Sequence, residues 1–295
     1  MLPMIDRYLL RYFLSVIDQG NFSKAAAACN VSQPTLSVGI AKLERETGRA
    51  LFHRTNRRVE LTEAGVRLAA HARRIEAEFA IAEREVRGTT TQTTVRLGLL
   101  PTLPGIWIED FLARLDPAEE RVELVEGRER ELLERLARGR IDVALTLIRR
   151  DQDRFAAEPL FREGYALAMP AAHPLAGREQ IAAEELADNI MIVRRQCEVL
   201  AETSRHFTAR GVRPFFAART TSDERALALV RAGLGITVMP EGFRAEGVVR
   251  PRLADFTPER EVGLLYSAHV NPARLRAGGV LQALTEAVAA ARAEA

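Results

Sequence analysis

The chain has 295 residues, 47% of them hydrophobic and 28% charged, which suits two or three packed globular domains and excludes disordered, collagenous and small disulfide-stapled classes. Its formal net charge of +2 conceals a division: nine Lys/Arg stand against four Asp/Glu through residue 58, the remainder is slightly acidic, and both lysines, Lys24 and Lys42, fall in the basic segment. A basic head on a near-neutral body points to one domain that meets a polyanion and another with a different task. Cys29 and Cys197 form no CxxC pair, the five histidines form no HExxH, and no apolar run reaches membrane-spanning length. These absences lead us to expect no cofactor, no metal, no membrane association and a cytoplasmic location.

In chain order, residues 5–14 read as an amphipathic helix, followed by a short helix of small residues, Ser23-Lys24-Ala25-Ala26-Ala27-Ala28. Asn30-Val31-Ser32 reads as a turn, with Ser32 placed to cap a helix that Gln33 and Pro34 open. That helix, about 33–46, should bury Leu36, Ile40 and Leu43 and leave Gln33, Thr35, Ser37 and Lys42 facing a partner. Gln, Ser, Thr and Lys are side chains able to bond base edges and phosphates in a major groove. Arg54, Arg57 and Arg58 follow as a cationic cluster suited to phosphates or a minor groove. This is the grammar of a helix-turn-helix with a basic wing, although an Ala-rich hairpin beside a solvated basic loop would read similarly.

Thr62 can cap a helix reaching about Arg87, along which Leu68, Ala72, Ile75, Phe79, Ala82 and Val86 form an a/d seam. Residues 88–94 are polar and joint-like. Beyond them strands are expected at 95–99, 121–125, 143–148, 164–169, 191–193, 236–239 and 262–266. Helices are expected at 106–115, 129–138, 198–210, 223–232 and 272–293. Such alternation predicts α/β units with largely parallel sheets.

Several ordered motifs together carry a family resemblance. They are Phe22-Ser23-Lys24-Ala25-Ala26, Val31-Ser32-Gln33-Pro34-Thr35-Leu36-Ser37, Lys42-Leu43-Glu44, Leu51-Phe52-His53-Arg54 and Leu61-Thr62-Glu63-Ala64-Gly65. In this order the chain resembles the LysR-type transcriptional regulators, sharply over residues 5–65 and more loosely afterwards. The resemblance implies an N-terminal all-α winged helix-turn-helix domain (1–61), a long linker helix that pairs subunits (62–88) and an α/β effector-binding domain (89–295). The last would resemble a small periplasmic binding protein, with lobe one at 90–161 plus 266–295, lobe two at 162–265, and a hinge near Leu160-Phe161 and Leu265-Tyr266. The implied partners are double-stranded DNA, a small-molecule effector, a second copy in a homodimer that doubles into a tetramer, and RNA polymerase. In this comparison Ser23, Lys24, Ser32, Gln33, Pro34, Thr35, Ser37, Lys42, Arg54, Arg57 and Arg58 are the expected DNA-binding residues. Val38 and Gly39 depart from the family pattern of a basic residue and Gln, and Gly39 should weaken its helix by about 1 kcal/mol against Ala.

For the effector, Thr102 opens a helix where similar regulators hold a carboxylate, and helix capping is the plainer reading. Arg194, Arg195, Gln196 and Cys197 follow a strand and should face the same cleft, where the arginines would clamp an anion or else pair with nearby acidic residues. Thr146, Thr221 and Ser222 are candidates by location. Glu129 replaces a hydroxyl frequent in relatives and would repel an anion or accept an amine. Cys29 and the residues after it, together with Cys197, resemble the peroxide-sensing branch, but His206 stands where the second switch cysteine is expected. Flanking arginines and a helix start should lower the Cys197 thiol pKa, leaving a one-cysteine sensor as an alternative to inert packing. The expected function is therefore a sequence-specific, effector-controlled DNA-binding regulator and not an enzyme. An architectural DNA protein is a weaker alternative, because bending DNA needs no two-lobed α/β portion.

Overall fold

The computed structural model describes residues 5–53, 59–86 and 93–293, and the chain separates into two compact units, Met1–Thr91 with Ala268–Asn271 and Gln92–Ser267 with Pro272–Ala295. Arg54, Arg57, Arg58 and most of the polar joint at 88–94 lie outside the described residues.

The first unit contains α1 (Arg7–Gln19), α2 (Phe22–Ala28), α3 (Gln33–Thr47), β1 (Phe52–His53), β2 (Glu60–Leu61) and α4 (Glu63–Val86). Leu9, Phe13 and Val16 of α1 lie on one helical face and meet Leu36, Ile40 and Leu43 of α3 in a single core, closed by Phe52, Ala69 and Ala72. Local chemistry marks each boundary. The Asn21 side chain accepts the Ser23 and Lys24 amides at 2.8 and 3.2 Å, starting α2. Asn30 turns the chain with φ +54°, a left-handed conformation that Asn tolerates better than most residues. Ser32 Oγ accepts the Thr35 amide at 3.2 Å and so starts α3. Thr62 Oγ1 accepts the Gly65 amide at 3.0 Å at the head of α4 and donates to Ala50 O at 2.7 Å, tying the helix to the chain just before β1, which pairs antiparallel with β2.

Gly39 requires a different explanation from the one its helix propensity suggests. A Cβ there would lie 2.7 Å from Tyr12 Cδ2. The glycine lets α1 and α3 approach, so its weak propensity is the condition for a close helix crossing.

The second unit contains β3 (Thr94–Leu99), α5 (Gly105–Arg114), β4 (Arg121–Glu126), α6 (Glu129–Ala137), β5 (Val143–Leu147), β6 (Ala156–Glu163), β7 (Tyr165–Pro170), β8 (Gln180–Ile181), β9 (Ile190–Arg194), α7 (Leu200–Ala209), β10 (Phe215–Thr220), α8 (Asp223–Arg231), β11 (Thr237–Pro240), β12 (Val248–Val249), β13 (Arg252–Leu253), β14 (Arg260–Tyr266), α9 (Pro272–Arg276) and α10 (Gly279–Ala293). One sheet has the order β4-β3-β5-β14-β6 and a second the order β11-β7-β13-β8. β9 and β10 pair in parallel, and a bridge from Met191 to Ile236 joins them to the β11 side. The chain crosses between the sheets after Glu163 and returns before Arg260, defining two lobes within this unit.

Three expectations are corrected. The sheets are mixed: β3, β4 and β5 run parallel, but β14 is antiparallel to β5 and β6, and β7 to β11, β12 and β13, because the chain leaves each sheet and returns to it. β14 lies entirely in the first sheet, so residues 260–265 pair with lobe one and not with lobe two. The closing helix is two helices, broken at Ala277-Gly278, where a Cβ on Gly278 would crowd the Glu120 carboxylate at 2.9 Å and that carboxylate accepts the Val280 amide at 3.0 Å.

Candidate nucleic-acid interface and effector site

On the first unit, α3 leaves Gln33, Pro34 and Thr35 exposed at its first turn and Ser37 half-buried one turn on. Ser23 Oγ donates to Gln33 Oε1 at 2.9 Å, a bond that engages the amide oxygen and not its NH₂. Ser32 spends its hydroxyl on the cap and on Thr35 Oγ1 at 2.7 Å. Lys24 is exposed at the start of α2. Lys42 departs from expectation: its ammonium lies 2.9 Å from Asp6, 3.3 Å from Tyr8 OH and 3.7 Å from Glu46. The Asp6 and Tyr8 contacts raise its pKa, so Lys42 is a helix-to-helix tie before it is a phosphate ligand.

In the second unit, a cavity of about 710 Å³ opens between the lobes, lined by the loop after β3, the start of α6, Arg149, Arg154 and the segment after β9. Of the sequence candidates it gathers Thr102, Glu129, Arg195 and Gln196. A neighbouring recess of about 620 Å³ is lined by Gln196, Thr221 and Ser222. Ser222 Oγ also caps α8 by accepting the Arg225 amide at 3.2 Å. Thr146 is wholly buried inside β5 and lines neither space.

The charges around the larger cavity are unevenly matched. Arg149 grips Glu129 with Nε at 2.6 Å and Nη2 at 2.9 Å, and Gln152 Nε2 adds a bond at 3.1 Å. Glu129 is therefore neutralised and does not present the repulsive carboxylate its type suggests. Arg128, Arg154 and Arg195 make no ion pair among the described residues, which leaves the lining with a cationic excess.

Arg194 is the principal correction. It is 2% exposed, and its Nε lies 2.7 Å from Asp223 Oδ1 while Nη2 bonds Oδ2. Nη1 donates to Val238 O at 3.1 Å and to Cys197 Sγ at 3.4 Å. Four of its five N–H donors are spent within the fold, and its burial withholds it from the cleft; the residue pins β9 to α8 and β11. A desolvated guanidinium needs acceptors of this kind, so burial decided its role.

Cys197 follows the same logic. Burial pushes its thiol pKa up, outweighing the lowering effect of Arg194, so the expected activation by flanking arginines is reversed. The thiol lines a separate apolar cavity of about 650 Å³ between α7 and the β9–β10 pair, walled by Leu200, Phe207, Val212 and Phe216. His206 lies on α7 with its ring against Phe207 and Phe256, and burial with nearby Arg210 lowers its pKa.

Sequence reasoning missed the acidic half of the site. Glu163, Glu198 and Arg260 form a buried ion cluster at the crossing between lobes, with Arg260 2.7 Å from Glu163 and 2.9 Å from Glu198. Arg260 Nη1 also donates to Thr102 O at 2.9 Å, and Gly242 N to Glu163 Oε2 at 2.7 Å. A Glu placed directly after Cys197 in an otherwise basic stretch was the one available signal.

Residues 8–66 match the family model for the bacterial regulatory helix-turn-helix protein of the lysR family, and residues 88–288 match the LysR substrate binding domain. A hydrogen peroxide-inducible genes activator of Pectobacterium carotovorum is 31% identical over 271 residues, covering 87% of this chain and 88% of the relative. A probable hydrogen peroxide-inducible genes activator of Mycobacterium avium is 34% identical, covering 87% and 86%. Among solved structures, an OxyR variant of Corynebacterium glutamicum superposes with a TM-score of 0.54 at 24% identity, covering 98% of this chain and 96% of that one. HinK of Pseudomonas aeruginosa, a LysR family regulator, gives 0.55 at 21% identity, covering 96% and 98%. At such identities these two likenesses concern the fold.

Proposed function

The chain belongs to the LysR family of DNA-binding transcriptional regulators, whose members it resembles are regulators and not enzymes, and from that premise we propose that it answers a small anionic, carboxylate-bearing effector held between the lobes of its second unit. The observation that carries this reading is the cavity of about 710 Å³ around which Arg128, Arg154 and Arg195 stand without ion-pair partners among the described residues. Unpaired guanidiniums in a partly enclosed space favour carboxylate, sulfate or phosphate groups by paired hydrogen bonds. Thermal unfolding of the full chain against small carboxylates, amino acids, sulfate and phosphate tests it. Saturation at about 100 times the dissociation constant adds roughly 2.7 kcal/mol, a shift of a few degrees for a domain of this size. A shift confined to anions and lost in Arg195→Ala supports the reading, and a panel without any anion response refutes it.

In this reading the first unit contacts double-stranded DNA through Ser23, Lys24, Gln33, Pro34, Thr35 and Ser37 in the major groove, with Arg54, Arg57 and Arg58 on phosphates. A second copy covers α4: Ile75, Phe79 and Val86 of its seam are 40%, 43% and 88% exposed in the single chain. Pairing sets two recognition helices against two half-sites, and doubling gives a tetramer able to meet RNA polymerase. No helix among the described residues is long and apolar enough to cross a membrane, in keeping with work in the cytoplasm.

A second reading is favoured by the relatives, which are peroxide-inducible gene activators, and by the thiol of Cys197 under the Arg194 guanidinium. Here the thiolate sulfur attacks one oxygen of hydrogen peroxide. The O–O bond breaks, hydroxide leaves and takes a proton to become water, and the cysteine is oxidised to a sulfenic acid. With His206 at the expected position of a second cysteine, the sulfenate would be resolved by a free thiol. A peroxide-dependent change in DNA affinity that survives Cys197→Ser would end this reading.

A further inference from the structure

The anion-binding features at the mouth of lobe one are filled from within the chain. Thr102, 2% exposed, donates its hydroxyl to Glu198 Oε1. Gly105, the first residue of α5, donates its amide to Glu224 Oε1 at 2.8 Å. Both carboxylates come from lobe two: Glu198 sits just before α7, and Glu224 lies in the first turn of α8. Arg260, 5% exposed, donates through Nη1 to Glu198 Oε1 at 2.9 Å, and Tyr165 OH donates to Glu198 Oε2 at 3.3 Å. A buried hydroxyl, a buried guanidinium and a phenol converging on two carboxylate oxygens constitute a carboxylate receptor. Its present ligand is Glu198.

We propose that Glu198 is a tethered carboxylate occupying the effector's own subsite, and that an acidic effector binds by exchanging with it. The idea rests on the anionic-effector reading above and narrows the ligand class. The ligand is a small carboxylate, with one oxygen at Thr102 Oγ1 and Arg260 and the other at Tyr165 OH, whose remaining atoms lie in the cavity toward Arg128 and Arg195. Exchange is charge-neutral within the cluster, since one carboxylate replaces another beside Arg260 while Glu163 keeps its own bonds. The displaced Glu198 gains solvent and lies within reach of the unpaired arginines that line the same cavity. Exchange also removes two of the contacts by which lobe two holds lobe one, Glu198 to Thr102 and Glu198 to Arg260, while Glu224 on Gly105 and Gly242 on Glu163 remain. Effector binding and this lobe-to-lobe latch are therefore mutually exclusive, which supplies the differential affinity that a ligand-driven change requires.

The test is chemical rescue in the full chain. Glu198→Ala is titrated with sodium acetate against sodium chloride at equal ionic strength, and thermal unfolding is followed. Acetate is expected to raise the midpoint of the variant by a few degrees at concentrations that leave wild type unmoved, and adding Thr102→Val should abolish the shift. An equal acetate response in wild type and Glu198→Ala, or a shift indifferent to Thr102→Val, overturns the proposal. Should Glu198→Ala not fold, Glu198→Gln keeps the shape without the charge, and its acetate dissociation constant is expected to fall tenfold or more below wild type; equal constants overturn the proposal. The two readings fail separately. No acetate effect on either variant, with an anion response intact in wild type, defeats the tethered carboxylate alone. Rescue by acetate, with wild type unresponsive to every anion, defeats the effector reading and leaves Glu198 as the occupant of the subsite.

Discussion

The first turn of α3 and the crossing between the two lobes use the same kinds of side chain to opposite ends. On α3, Gln33 and Thr35 are exposed, Gln33 steadied by Ser23 and Thr35 by Ser32. At the lobe crossing, Thr102 and Arg260 are buried, and both bond the half-buried Glu198. A surface that must read a duplex keeps its donors and acceptors open and tolerates their solvation. A buried polar cluster must satisfy itself in the absence of ligand, because each unpaired group there costs about 1–3 kcal/mol. The identity of a residue therefore reveals its use at the surface far better than in the interior.

The sharpest way to break this contrast is to unpair the interior. Arg194→Met strands Asp223 in a site where both side chains are 1–2% exposed and should cost about 3–5 kcal/mol in urea unfolding. Arg194→Met with Asp223→Leu should recover most of that loss. A loss below about 1 kcal/mol for the single variant would show that Arg194 is not the structural pin described.

A smaller effect tests the helix crossing. Gly39→Ala gains about 1 kcal/mol of helix propensity but forces Tyr12 aside, and overpacking typically costs about 1–3 kcal/mol. A net loss in wild type, turning to a gain in a Tyr12→Leu background, is expected. A gain in both would return Gly39 to a simple propensity penalty.

At the open surface, Gln33→Ala should erode discrimination at one base pair by about 1–3 kcal/mol while leaving the salt dependence of DNA binding unchanged. Arg54→Glu should weaken all sequences and flatten that dependence. Lys42→Ala is expected to leave the salt slope where it was, because Asp6 and Glu46 already neutralise the ammonium. Equal, salt-independent losses from Gln33→Ala and Arg54→Glu would contradict the division between base and phosphate contacts.

The mildest expectation concerns pH. Burial raises the Cys197 thiol, so the folded chain favours the protonated form, and any stability this brings holds below the ordinary thiol range and is lost as pH rises through the raised value. Iodoacetamide should then alkylate Cys197 more slowly in folded than in urea-unfolded protein near pH 8. A faster reaction in the folded chain would reinstate an activated thiol.

The helix-turn-helix was legible because its signals are local. Ser32 caps within three residues, Asn30 tolerates its own left-handed turn, and the spacing of Leu36, Ile40 and Leu43 declares a buried face. The strands β3, β4 and β5 and the helices between them were legible for the same reason; β6 was anticipated only as a crossover near Leu160-Phe161, and β10, with no clean alternation, was missed. Thr102, Glu129, Arg195 and Gln196 were placed together at one cavity by their position after strands and at helix starts. Their partners were not legible. Arg194 meets Asp223 across 29 residues, Thr102 meets Glu198 across 96, and Arg260 reaches back 158 residues to Thr102.

By itself, then, the sequence determined the local grammar: where helices begin, which face each buries, which end of the chain is basic, and the order of motifs that places it in its family. Tertiary structure alone decided which charges are spent. Pairing across such separations depends on how two sheets and their crossings bring distant backbone together, and a desolvated Arg or Glu takes whichever partner that packing supplies. The same residue types thus became a structural pin at Arg194, a cation without an ion pair among the described residues at Arg195, and an internal ligand at Glu198.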